Sequence, residues 1–210
     1  RDLHSFPTRR SSDLWSSNTA TYFATANYEW KDNWANDGFW KSYYTYLAKP
    51  LNETKAMLDR HPEYSNIYQM MRIISAMGAA RTTDMFGDVP YFNAATGEIT
   101  PRYDSQKDIY YDIFKELTEA SGLLASNTNQ VDPDANDIIY KGDVKKWIKL
   151  ANACRLRLAM RLRYIDPEKS KAEAEAALKA PLFEGNQDNA GVAQRSEEHT
   201  SELQSLGAIS

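Results

Sequence analysis

Five stretches of the chain place apolar residues at helical spacing, with polar or Gly/Pro-containing segments between them. The strongest lies between positions 64 and 91, YSNIYQMMRIISAMGAARTTDMFGDVPY, where Ile67, Met70, Met71, Ile74, Met77 and Met85 recur and Ile73, Ala76 and Ala80 widen the stripe. A stripe that broad needs cover on both flanks, which predicts a central helix. Gly87 suits a left-handed C-terminal cap, and Pro90 cannot continue the helix, so the chain turns there.

Four further helices follow from the same pattern. Positions 39–58 carry Trp40, Tyr43, Tyr44, Leu47, Leu51 and Leu58, and Pro50 inside that run predicts a kink or break near Lys49. Ser105 opens another helix, with Asp108 three residues later in the manner of a capping box and Ile113, Phe114, Leu117 and Leu124 on one face. Asp143 is an N-cap before a stripe through Trp147, Ala151, Cys154 and Leu158. The other faces of that helix are basic, and arginines beside its stripe are expected to pair with carboxylates such as Asp84 or Asp88. Asp166-Pro167 starts an Ala-rich fifth helix. No segment alternates convincingly as a strand. The fold class is therefore mostly α, antiparallel helix pairs of tetratricopeptide-like type in an incomplete domain, although no repeat of fixed period is present.

The two ends match nothing around them. Asp2–Leu14 (DLHSFPTRRSSDL) and Arg195–Ser205 (RSEEHTSELQS) look like conceptual translations of common short-read sequencing adapters, with 206–210 as their continuation. Residues 1–14 and 195–210 are thus expected to be scars, leaving 15–194 as a fragment of one helical domain. His61 and Cys154 are then its sole histidine and cysteine. One cysteine excludes an internal disulfide and a cysteine-rich zinc site. His61, beside Pro62, reads as a surface residue. The Asp- and Asn-rich segment near 132–137 lacks the glycine that a calcium loop needs and reads as a solvated turn. No cofactor and no metal are expected.

A formal net charge of −4 argues against nucleic acid, and no run of 18 or more apolar residues is present to span a membrane as a helix. The chemistry that does stand out is aromatic. Trp30, Trp34 and Trp40 sit close in sequence to Asn33, Asn36 and Asp37. A sugar ring offers an apolar C–H face to stack on an indole and hydroxyls to meet amides and carboxylates, so Trp30, Trp34, Asn36 and Trp40 form the candidate ligand-binding set. For any single tryptophan, anchoring helix to helix is the plainer use. An enzymatic alternative would use Asp84 and Asp88 as the acid and base of an all-α glycosidase. Both, however, fall at a helix end where capping occupies them, so no catalytic residue is expected.

Three segments together resemble the SusD/RagB family, in particular its second SusD-like group: MGAARTTDMFGDVPYFNA at 77–94, PRYDSQKDIYYDIFKELTEA at 101–120, and DIIYKGDVKKWIKLANACRLRLAMRL at 137–162. The resemblance implies a helical, non-catalytic, nutrient-binding lipoprotein of Bacteroidota. Its partners would be a SusC-like TonB-dependent transporter and an oligosaccharide or other oligomeric nutrient, and it would lie on the cell-surface side of the outer membrane. Membrane contact would run only through an N-terminal lipid, whose cysteine is not in this fragment. A second reading is a helical scaffold that meets only the transporter.

Overall fold

The computed structural model describes residues 36–191. The adapter-like ends lie outside the described residues, as do Trp30 and Trp34. Five helices carry the fold. Helix α1 spans 36–57, with π-helical backbone at Asn36–Trp40 and Tyr44–Ala48 and α-helical backbone at Lys41–Tyr43 and Lys49–Met57. It is followed by α2 (Ser65–Phe86), α3 (Gln106–Ser126), α4 (Val144–Arg161) and α5 (Pro167–Leu178). Each helix packs on the next, and α2 also touches α4. Among the described residues the one β pairing is an isolated bridge between Val89 and Asp104.

Of the kink or break expected near Lys49, the break does not occur, and the irregularity there takes the form of a π turn. Lys49 is helical (φ −64°, ψ −53°), and its N–H reaches back five residues to the Tyr44 carbonyl. A proline normally breaks a helix by losing one hydrogen bond and by crowding the carbonyl four residues earlier. The widened π turn just before it relaxes that crowding, and the helix runs through.

The caps hold as expected. Ser105 Oγ accepts from Asp108 N and donates to its carboxylate, Asp143 accepts from Lys145 N and Lys146 N, and Asp166 accepts from Lys169 N. Each satisfies donors that the first helical turn leaves open.

Ile73, Val89, Ile109, Ile113, Phe114 and Leu117 form the driest part of the core. Ala76, Ala79 and Ala80 on α2, Ala120 on α3 and Ala151 and Ala159 on α4 are also buried, and their small size lets the helices close on one another. Gly78 has a similar use. A methyl group there would stand 2.4 Å from Leu47 Cδ1, so this glycine lets α1 cross α2 at short range.

The central helix departs from its apolar pattern. Met85 is 51% exposed, whereas Asn66, Gln69, Arg72, Ser75, Thr82 and Thr83 are buried. At about 100° per residue, Ile67, Ile74 and Met85 fall on the side opposite Ala76 and Thr83. Core contact therefore follows the small and polar face, and the large apolar residues of the other face are only partly covered.

Candidate functional site

The first two motif segments meet in the link between α2 and α3. Gly87 adopts φ 76°, ψ −128°, a conformation open to glycine alone, and its N–H closes α2 on the Thr83 carbonyl at 2.8 Å. This differs from the expected left-handed cap in ψ while sharing its positive φ. Asp88 Oδ1 then accepts from Gln106 N at 2.9 Å, so the end of α2 caps the start of α3. Val89 and Asp104 exchange backbone hydrogen bonds, and the Asp104 carboxylate accepts from both Tyr91 N and Phe92 N at 2.9 Å. Tyr44 of α1 donates its hydroxyl to the Pro90 carbonyl at 2.8 Å, and Asn52 Nδ2 donates to the Ala94 carbonyl at 2.9 Å. The link is thereby fastened to three helices.

That fastening shapes a cleft of about 360 Å³ beside Trp40, walled by Tyr44, Thr45, Pro90, Ala94 and Pro101. The half-buried Trp40 ring packs against Tyr44 (centroids 5.0 Å apart), edge-on to Phe86 (5.2 Å) and near Tyr103 (6.3 Å). Burial holds the Tyr44 hydroxyl well above the usual tyrosine range, so it stays a proton donor. Of the four candidate ligand residues, the structure places Trp40 at this cleft and Asn36 in the first turn of α1, while Trp30 and Trp34 lie outside the described residues. Sequence reading missed Tyr44 and the prolines as its walls, and Tyr103 as a neighbour of the Trp40 ring. The available signal was the pairing of VPY with PRY across the link.

The carboxylates of the enzymatic alternative are both engaged. Asp84 is ion-paired with Arg161, as the basic face of α4 suggested, and accepts the Tyr110 hydroxyl at 2.5 Å. Asp88 serves Gln106 N rather than an arginine. The third motif segment has its own centre in Asp137, whose carboxylate accepts from Trp147 Nε1 (2.7 Å), Gly142 N (3.0 Å) and Ile139 N (3.0 Å). Partial burial opposes its ionisation, yet these donors outweigh it and hold the carboxyl below the usual range. Cys154 is buried in α4, and burial raises its thiol, as suits a core residue. His61 is exposed beside Glu63, as expected.

Packed helix pairs with a fastened inter-helix link and an aromatic cleft define a tetratricopeptide-like helical domain. The chain belongs to the SusD-like family described as starch-binding and associating with the outer membrane, whose model matches residues 4–205. Solved structures agree. A chitin-binding protein shares 35% identity with a TM-score of 0.72, over 83% of this chain and 37% of that one. A SusD homologue from Parabacteroides distasonis shares 37% identity, TM-score 0.70, over 80% and 33%. A chitin-binding SusD homologue from Flavobacterium johnsoniae shares 27%, TM-score 0.70, over 86% and 38%. The chain thus spans 33–38% of the length of these relatives. No curated protein matches it. Among the described residues no helix is long and apolar enough to cross a membrane.

Proposed function

We propose that this chain is part of a non-catalytic, glycan-capturing lipoprotein, anchored on the cell-surface side of the outer membrane and working with a SusC-like TonB-dependent transporter. Family membership supports the capture role, and chitin-binding relatives point to a polysaccharide ligand. The observation that carries the reading to particular residues is the cleft where Trp40 stands beside Tyr44 and two prolines. Such a surface suits stacking on a sugar ring, with Trp30, Trp34 and Asn36 just upstream in the chain as further members of the same site.

Isothermal titration of the 210-residue chain with chitin and starch oligosaccharides tests this. Binding to at least one is expected, weakened by Trp40→Ala and by Trp34→Ala. Unchanged affinity in either variant removes that tryptophan from the site. The scaffold reading draws on Tyr164 and Ile165, 79% and 84% exposed at the turn between α4 and α5, which suit a protein contact. It predicts retention of the chain by the transporter with no glycan binding.

A further inference from the structure

Behind the turn at 91–94 lies a second cavity, about 280 Å³, walled by α1, α2 and α3. It shares Ala94 with the cleft beside Trp40, so a single turn of chain separates the two spaces. Its aromatic lining includes Tyr68, Tyr91 and Phe92, and its polar lining Asn52, Arg72 and Asp112. The polar groups are already oriented. Arg72, only 7% exposed, donates from Nε to Glu116 (2.6 Å), from Nη2 to Glu119 (2.7 Å) and from Nη1 to Gln69 (2.9 Å). The Tyr91 hydroxyl donates to Asp112 at 2.9 Å, and Asn52 is held on the Ala94 carbonyl.

Charge and size narrow the ligand. The lining holds two cations, Lys55 and Arg72, and two carboxylates, Asp112 and Glu116, so its formal charge is zero. A phosphate or sulfate needs several uncommitted cations; Arg72 is committed to two carboxylates, and Lys55 by itself, in a lining that also carries Asp112 and Glu116, does not make an anion site. A metal ion needs several ligating groups in one place, and among the described residues no such cluster exists. A neutral polyhydroxylated ring needs what is present: aromatic faces for its C–H groups and fixed donors and acceptors for its hydroxyls. The volume sits at the small end of ligand pockets, room for one ring rather than a chain.

We propose that this cavity is a second subsite, taking one neutral sugar ring of the same glycan, another unit of which occupies the cleft beside Trp40; this rests on the glycan-capturing reading above. Asn52, fastening the intervening turn, sets the spacing between the two subsites.

The test is a titration of the full 210-residue chain, isotopically labelled, with chitohexaose and maltohexaose, read by amide shifts and repeated in Phe92→Ala and Tyr68→Leu. Phe92 is 52% exposed, so its removal leaves the fold intact, which circular dichroism checks. Expected are shifts at Asn52, Phe92 and Asp112 together with those near Trp40. Phe92→Ala should weaken binding about three- to tenfold, the worth of one aromatic contact. Shifts confined to the surroundings of Trp40, with both variants binding as the parent does, would overturn the second subsite and leave glycan capture standing. Absence of binding to either oligosaccharide overturns both.

Discussion

On one side of α2, Arg72 and Tyr68 help close a polar cavity, and the buried cation meets two carboxylates of α3; on the other, Ile67, Met71 and Ile74 line an open groove of about 550 Å³, facing Val131, Ile138 and Trp147. The same helix thus buries its charge and leaves much of its aliphatic surface wet. Stability on the first side comes from pairing, because an Arg withdrawn from water is held only while its partners remain. On the second side the aliphatic groups contribute less than their size suggests, since only the area removed from water counts.

The comparison breaks most sharply at Arg72. Arg72→Met strands Glu116 and Glu119 and should cost about 3 kcal/mol in urea denaturation, at the low end for a broken buried pair because both carboxylates still reach water. An unchanged denaturation midpoint would show that the pairing does not hold this flank.

Next comes Asp137, which forms the polar rim of the groove and gathers three backbone donors and the Trp147 indole. Asp137→Ala should cost about 2 kcal/mol by leaving those donors unmatched. Because its folded pKa is lowered, its contribution is present above the unfolded value of about 3.9 and is lost as pH falls through the folded pKa. Thermal melts of Asp137→Asn should therefore show a shallower decline below about pH 4 than the parent.

Ile74→Ala, in the open groove, should cost about 1 kcal/mol, well under the 2–5 kcal/mol of a fully buried site. A cost near the upper figure would mean that the groove is covered in solution. The smallest effect belongs to Asp112→Asn. Burial raises the Asp112 pKa despite the hydrogen bond from Tyr91, so the folded chain holds its proton more readily than the unfolded one. Its ionisation at neutral pH therefore works against folding, and the amide should leave stability at pH 7 equal or higher by less than about 1 kcal/mol. A clear loss would mean that the carboxylate charge itself is needed.

Much of this architecture was legible in the sequence because its signals are local. Ser105, Asp143 and Asp166 announce helix starts through the backbone donors beside them, and the stripes through Phe114 and Leu158 state which faces of α3 and α4 are buried. The hidden features depend on distant partners. Arg72 on a central helix looks like an interruption until Glu116 and Glu119 stand opposite it. The apolar run through Ile67, Ile74 and Met85 ranks as the core face on hydrophobicity alone, yet Gly78 and the alanines let the helices approach along other lines. At the candidate site, Trp40 was visible from composition. Its neighbours Pro90 and Pro101 were not, since it takes the Val89–Asp104 bridge, the Asp104 carboxylate on Tyr91 and Phe92, and the cap from Asp88 to bring the two ends of the link together.

The π turns of α1 decide where along that helix chain length matters to the site. A π turn holds one residue more than the α turn it replaces. Deleting a single residue within Tyr44–Ala48 would return that turn to ordinary winding with its two flanks close to their present facing, whereas the same deletion between Lys49 and Leu51, in α-helical backbone, would swing Trp40 by about 100° relative to Asn52. In that second case Trp40 would face away from Pro90 while Asn52 still held Ala94, with no side chain at the cleft substituted. Spacing in this segment is thus as much a part of recognition as the identity of the aromatic residues it carries.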